Sequence, residues 1–232
     1  MSAEPHRHFH DELARLKDRL LDMSALAEES LHRAVQALLD RDAPAAHEVV
    51  ADDRRIDALE IEIEEAVTNL LALHQPVARD LRLILSALKI ASDLERVGDH
   101  AVNIAQSAER LIAHRMITPV PELVEMARIA REMLGDALSA FVRGDAPTGR
   151  AVCARDDQVD ALNHSMFRIL ITHMAEDPHT IGAAMELFLV SRNLERVADL
   201  ATNIAEDVVF LVEGKTIKHK AEMRQAEGRS ER

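Results

Sequence analysis

Three observations predict an all-α fold made of two tandem, pseudo-symmetric three-helix bundles with six long helices. The 232-residue chain has only seven Gly and seven Pro, so little interrupts long elements. Its aromatic residues are five Phe with no Trp or Tyr, which starves the strand-favouring set, while helix formers such as Ala, Leu, Glu and Arg are plentiful. Apolar residues also recur at helical spacing along most of the chain.

Residues 1–8 are polar and His-rich and are expected to form a flexible N-terminus. The first helix spans about 9 to 40, on the stripe Phe9, Leu13, Leu16, Leu20, Met23, Ala27, Leu31, Val35 and Leu38. Asp40-Arg41-Asp42-Ala43-Pro44 breaks it, and Pro suits the first turn of the second helix, whose stripe is Val49, Ile56, Leu59, Ile63, Val67 and Leu70. Pro76 ends that helix. The third starts near Ala78 with two adjoining apolar lines, one through Leu81, Leu85 and Leu88, the other through Leu94, Val97, Ala101, Ile104, Ala108 and Leu111. After Thr118-Pro119-Val120-Pro121 the pattern resumes at Leu123 and runs through Met126, Ile129, Met133, Leu134, Leu138 and Phe141 to a stop at Arg143-Gly144-Asp145-Ala146-Pro147.

That stop repeats the first one. Asp42-Ala43-Pro44 lies on Asp145-Ala146-Pro147, and Ile56-Asp57-Ala58-Leu59 on Val159-Asp160-Ala161-Leu162, both at an offset of 103. Past Pro76 and Pro178 the offset becomes 100, and nine of thirteen positions are identical between residues 93–105 and 193–205. Helical periodicity alone reproduces apolar spacing, but it does not place Glu, Arg, Asp and Asn at matching positions. The chain is therefore an internal duplication, with units at 9–114 and 121–213 and a polar tail at 214–232 that is expected to be disordered.

The 28 basic and 41 acidic residues give a net charge of −13, which argues against nucleic acid and favours cations or a protein with a basic patch as partners. The single cysteine, Cys153, excludes an intrachain disulfide and a Cys-based zinc site. Residues 1–12 contain no apolar leader segment, and the longest apolar runs, such as 208–212, are far too short to span a bilayer. A cytoplasmic location is expected.

Glu95 and Asp99 stand four apart on one helical face, as do their copies Glu195 and Asp199. The spacing alone is common in a chain with 41 acids. Position sharpens the signal: Glu95 follows Leu88 by seven residues and Leu81 by fourteen, so it is expected to continue an apolar stripe inward. The second helices add Asp53 with Asp57, and Asp156 with Asp160, at equivalent points of the repeat. Carboxylates from two facing helices are hard ligands for iron, manganese, magnesium or calcium. Neutralisation by Arg96 or Arg196 is the alternative, and the residues alone leave both open.

The two copies of Leu-Glu-Arg-Val-Gly/Ala-Asp followed by Ala-x-Asn-Ile-Ala, together with the stretch Gln75 to Leu83, resemble the PhoU family of phosphate-signalling regulators over residues 9–214. The resemblance implies a metal cluster on each bundle, held by Asp53, Asp57, Glu95 and Asp99 in one and by Asp156, Asp160, Glu195 and Asp199 in the other. The metals implied are iron, zinc, manganese or magnesium, singly or as a multinuclear cluster. It also implies a non-enzymatic negative regulator linking the ATPase of the phosphate ABC importer to a sensor histidine kinase, with the membrane met only through these partners. A homodimer is expected from the outer apolar lines of the long helices. Gln75 through Arg82 has no copy in the second unit, where Asp177-Pro178-His179-Thr180 stands.

Two rival readings are a metal-independent helical adaptor and a ferritin-like di-metal enzyme. The enzyme requires Glu-x-x-His on two helices. Only Glu29 to His32 fits, because Glu176 to His179 crosses a Pro-containing turn. His6, His8 and His10 alternate ahead of the first helix and read as a solvated segment able to take up a stray divalent ion.

Overall fold

The computed structural model describes residues 3–114 and 121–217, with side chains from residue 8 onward. The described residues contain no strand. Their helices are α1 (Ala3–Asp40), α2 (Ala43–Asp52), α3 (Arg54–His74), α4 (Ala78–Leu111), α5 (Pro121–Arg143), α6 (Ala146–Cys153), α7 (Asp156–Glu176) and α8 (Ile181–Glu213), with a 3₁₀ turn at Pro178–Thr180. The predicted all-α, duplicated architecture is what forms. The first unit comprises α1, α2 with α3, and α4; the second comprises α5, α6 with α7, and α8. The linker residues Thr118-Pro119-Val120 and the tail beyond 217 lie outside the described residues.

α4 and α8 make the most extensive helix–helix contact, with α1 on α4 and α5 on α8 next. One contiguous cluster of buried side chains runs through both units. The α4–α8 seam is also stitched by polar groups. Lys89 Nζ stands 3.3 Å from Asp207 Oδ1, Ser86 Oγ donates to the Asp207 carbonyl at 3.5 Å, and Arg82 Nε donates to the Leu211 carbonyl at 3.3 Å.

α1 begins at Ala3 rather than near Phe9. Phe9 marks where the buried stripe starts, and the polar turns ahead of it remain helical because a Pro in the first turn forfeits no intrahelical hydrogen bond. Second, the helix expected to run unbroken from Pro44 to Pro76 is interrupted at Asp53, where Ile56 N–H bonds the Asp53 carbonyl at 2.8 Å in a tightened turn. The second unit tightens at the equivalent place, with Arg155 N–H on the Val152 carbonyl at 2.9 Å and Gln158 N–H on the Arg155 carbonyl at 3.0 Å.

The duplication extends to capping. α1 and α5 both close in Schellman motifs, with Asp42 N–H on the Ala37 carbonyl and Asp145 N–H on the Ala140 carbonyl, each at 2.9 Å. Asp42 and Asp145 then cap α2 and α6 by accepting from Ala45 N–H at 3.0 Å and Thr148 N–H at 3.1 Å. The left-handed residue is Gly144 in one copy (φ +63°) and Arg41 in the other (φ +55°). A non-glycine residue there costs about 1–2 kcal/mol. The Arg41 guanidinium offsets this by donating to the Leu111 and His114 carbonyls at 2.8 and 3.2 Å, which caps the end of α4.

One ion pair survives between the copies with its polarity inverted. Arg33 on α1 pairs with Asp52 at 2.8 Å, whereas the equivalent positions in the second unit hold Asp136 and Arg155, paired at 2.7 Å. A swap of both partners preserves the interaction between the first helix and the break of the second.

Candidate metal centres

The breaks at Asp53 and Arg155 place the first acids where α3 and α7 begin. Asp53 occupies the N-cap of α3 with Asp57 in its first turn, and Asp156 lies in the first turn of α7. Neither Asp53 nor Arg155 makes a side-chain capping bond, so the Asp53 carboxylate is left to the acidic cluster. α4 and α8 bring Glu95 with Asp99, and Glu195 with Asp199, to the same face of their respective units.

The first-unit acids sense one another. Burial pushes the Asp53 carboxyl up to about 6, with the charges of Asp57 and Asp99 adding to it. Burial followed by Asp99, Glu60, Asp57 and Asp53 pushes Glu95 up to about 7. Asp53 Oδ1 is fully buried and makes no hydrogen bond. In the second unit, burial followed by Asp199 and Asp160 pushes Asp156 up to about 6, and burial raises Glu195 and Asp199 as well.

The acids do not point into the core as the stripe through Leu81 and Leu88 suggested. Glu95 is half-buried and Asp57, Asp99 and Asp160 are exposed. Leu81 and Leu88 are themselves only half-buried, so the line that Glu95 continues runs along the rim, while Ile84, Ala87, Ile90, Ala91 and Leu94 face the core. The carboxylate oxygens share a face, but they do not converge within 4.8 Å of one another as three ligands in either unit.

The two clusters also differ. Glu60, one turn beyond Asp57, belongs to the first: its carboxyl is raised by burial, then by Glu64, Asp57 and Asp99, and Ser92 hydrogen-bonds it. Its equivalent is Asn163, whose Oδ1 accepts from Ser191 at 3.1 Å. The spacing of Asp53, Asp57 and Glu60 at i, i+4 and i+7 was the available signal. Comparing the copies hid it, because Asn stands in the second. Conversely, Arg192 in place of Ser92 pairs with Glu195 at 3.2 Å, and Arg196 pairs with Asp199 at 3.2 Å. Arg96 instead pairs with Asp93 at 3.6 Å. The first cluster is thus a five-carboxylate set, whereas the second is partly neutralised by its own arginines.

Gly98 lets α4 approach the first cluster. A Cβ there would stand 2.9 Å from Asp53 Oδ1 and 3.0 Å from Ile56 Cδ1. Both atoms end flexible side chains, so Gly98→Ala is expected to leave stability within about 1 kcal/mol, its helix propensity offsetting the crowding. It is expected to displace Asp53 and, on the reading of the cluster as a metal site, to weaken its metal affinity by about tenfold, which metal titration of the variant checks.

His100, next to Asp99, turns to the seam. Its Nδ1 is 2.9 Å from Asn193 Oδ1, and burial holds the imidazole below its ordinary pKa, toward the neutral form. Cys153 is half-buried, and burial followed by Glu206 pushes its thiol up to about 11, which suits a packing role. Glu176 closes α7 while His179 lies in the 3₁₀ turn, so the second Glu-x-x-His forms no helical face.

Fold and site together define a duplicated helical-bundle protein that carries one carboxylate cluster per repeat. The family model described as the PhoU domain matches residues 20–108 and again residues 123–208. The chain belongs to the PhoU family. It is 40% identical over 209 residues to a phosphate-specific transport system accessory protein PhoU homolog of Aquifex aeolicus, covering 90% of this chain and 95% of that one. It is 33% identical to the protein of that name from Serratia marcescens, covering 91% and 87%. The crystal structure of PhoU from Pseudomonas aeruginosa superimposes with a TM-score of 0.86 at 38% identity, over 89% of this chain and 100% of that one. PhoU from Streptococcus pneumoniae, a phosphate transport system regulatory protein, gives 0.84 at 30% identity over 90% and 99%.

Proposed function

We propose that this PhoU-family chain is a cytoplasmic, non-enzymatic negative regulator of phosphate uptake and phosphate-starvation signalling. In this reading it is a metal-binding adaptor between the ATPase of the phosphate ABC importer and a sensor histidine kinase. No helix among the described residues is long and apolar enough to cross a membrane.

The observation that carries this reading is the repetition of the acidic cluster at equivalent positions of two units whose third helices pack on each other. A buried oxygen on Asp53 with no hydrogen-bond partner, and carboxyls raised by burial and then by neighbouring negative charge, are what an anionic site shows when it is built for cations. Asp53, Asp57, Glu60, Glu95 and Asp99 would hold the first ions, and Asp156, Asp160, Glu195 and Asp199 the second, with iron, zinc, manganese or magnesium as candidates. Bound cations would cancel the repulsion between α3 and α4, and between α7 and α8. The chain's own work is to present a fixed outer face: Asp53 and Asp156 anchor the helix breaks, while α4 and α8 hold the two clusters in register. Arg192 and Arg196 make the second cluster the weaker of the two.

For self-association, α8 exposes Ile181, Met185 and Leu189 along one line, beside Phe167 and Ile171 on α7. That apolar surface supports a homodimer.

The test is retention of the protein on immobilised importer ATPase and on the immobilised cytoplasmic part of the sensor kinase, with and without metal. Retention by both, falling several-fold on chelation, is expected. Equal retention in chelator leaves a metal-independent adaptor, and no retention by either removes the adaptor role.

A further inference from the structure

His8, Glu12 and His74 come together far from the two acidic clusters' residues in sequence, and nothing in the mechanism above uses them. The contact joins the opening turns of α1 to the last turn of α3. His8 Nδ1 stands 3.3 Å from Glu12 Oε1, and His74 Nε2 stands 2.9 Å from Glu12 Oε2. One ligand atom from each of the three lies within 4.8 Å of the others, and among the described residues this is the one set of three or more His, Cys, Asp or Glu side chains that converges so closely. Glu12 and His74 are largely shielded, with 26% and 18% of their side-chain surface exposed. Phe9, itself buried, packs its ring 5.2 Å from the His74 ring and so limits how that imidazole can turn.

We propose that His8, Glu12 and His74 form a binding site for a zinc-class divalent cation, distinct from the carboxylate clusters. Two imidazole nitrogens and one carboxylate are the three-ligand set that zinc accepts with a fourth position open to water, whereas an all-oxygen set suits harder ions. Ligands about 2.0–2.1 Å from a tetrahedral zinc stand about 3.3 Å apart. The contacts at 3.3 and 2.9 Å run to opposite oxygens of Glu12, and one ligand atom from each residue already lies within 4.8 Å of the others, so side-chain rotations that draw both imidazoles to one ion complete the set. Glu12 sits one turn after His8 on the same helical face, and His74 closes the site from across the unit. The site belongs to the first unit alone, because at the repeat offset His8 and Glu12 correspond to Leu111 and Arg115, ahead of the second unit's first helix, and His74 to Asp177.

Bound zinc fastens the first turns of α1 to the end of α3. It does so directly before Gln75 and Ala78, two non-glycine residues with left-handed backbone (φ +46° and +49°) in the segment that has no copy in the second unit. The cation therefore steadies the stretch that distinguishes one half of the molecule from the other.

Zinc alone is the probe, titrated by a competing indicator into tag-free, chelator-stripped full-length protein. The proteins compared are wild type, His8→Gln, His74→Gln, His6→Gln with His10→Gln, and the variant Asp53→Asn, Asp57→Asn, Glu95→Gln, Asp99→Asn. One zinc equivalent is expected to weaken at least tenfold in His8→Gln and in His74→Gln, and to persist in the other two variants. His8 lies in an exposed turn, so its variant keeps the fold even if His74→Gln loosens α3. Hydrogen exchange at residues 9–12 is expected to slow with zinc in wild type and not in His8→Gln. Titrations unchanged by both His8→Gln and His74→Gln overturn the site. So does loss of the equivalent with His6 and His10, which assigns it to a solvated histidine segment, or with the carboxylates, which assigns it to the first cluster.

Discussion

Replacing Asp53, Asp57, Glu95 and Asp99 by Asn, Asn, Gln and Asn is expected to stabilise the metal-free protein at pH 7.5 and to remove most of the stabilisation that metal confers on the first unit. The carboxyls of Asp53 and Glu95 are raised to about 6 and about 7 by burial and by neighbouring negative charge. A group whose folded-state pKa lies above its unfolded value contributes stability that is fully present below the unfolded pKa and is lost as pH rises through the folded one. Metal-free wild type therefore gains stability as pH falls from 7.5 to about 6. The opposing effect of His100, held neutral by burial, stays small until pH drops below the ordinary histidine value. After allowance for solvent screening of these partly exposed groups, the gain from neutralisation is about 1–2 kcal/mol, a melting-temperature rise of about 3–6 °C. Metal acts in the opposite direction. At a concentration a hundred times its Kd it stabilises wild type by about 2.7 kcal/mol, and the variant forfeits that share. Differential scanning calorimetry of both proteins, stripped and metal-loaded, reads both effects. Identical melts for wild type and variant in both states contradict the metal reading and return the acids to a solvated face.

Leu94→Ala and Leu194→Ala are each expected to cost about 3 kcal/mol, within the 2–5 kcal/mol seen for such truncations, lowering the melting temperature by about 6–12 °C. Both leucines are fully buried at the head of the repeated Leu-Glu-Arg-Val motif. Each truncation leaves every carboxylate of the proposed sites in place, so metal stoichiometry is expected to hold while stability falls. Because one contiguous core runs through both units along the α4–α8 seam, each variant is expected to melt in a single transition shifted as a whole. Two transitions, with each variant moving only its own, contradict a shared core.

The fold was legible because its signals are local and repeated. The stripe from Phe9 to Leu38 is buried at every one of its nine positions, and Met23, Ala27 and Leu31 recur as Met126, Ala130 and Leu134, all buried. The breaks at Asp53 and Arg155 were not legible, since neither holds Pro or Gly and a tightened turn leaves no trace in composition. The candidate site was half legible. Four positions per unit emerged from the duplication, yet the same comparison concealed Glu60, which faces Asn163, and Arg192, which faces Ser92. Those departures set the two clusters apart in charge. The meeting of His8 with His74 was out of reach, because a contact between the start of α1 and the end of α3 depends on packing rather than spacing. The inward aim assigned to Glu95 failed because the line it continues is not a core line: Leu81 and Leu88 are apolar but only half-buried.

Elemental analysis of tag-free protein reconstituted with iron or manganese is the measurement on which the duplicated site turns. Wild type is compared with Asp53→Asn, Asp57→Asn, Glu95→Gln, Asp99→Asn and with Asp156→Asn, Asp160→Asn, Glu195→Gln, Asp199→Asn. Protein mass is taken from amino-acid analysis, since the chain has no Trp or Tyr. Wild type is expected to carry ions in both units, each variant to lose its own unit's share while remaining helical by circular dichroism, and the second unit's ions to be stripped first by chelator. Equal metal content in all three proteins, or none in any, would mean that the repeated carboxylates hold no metal.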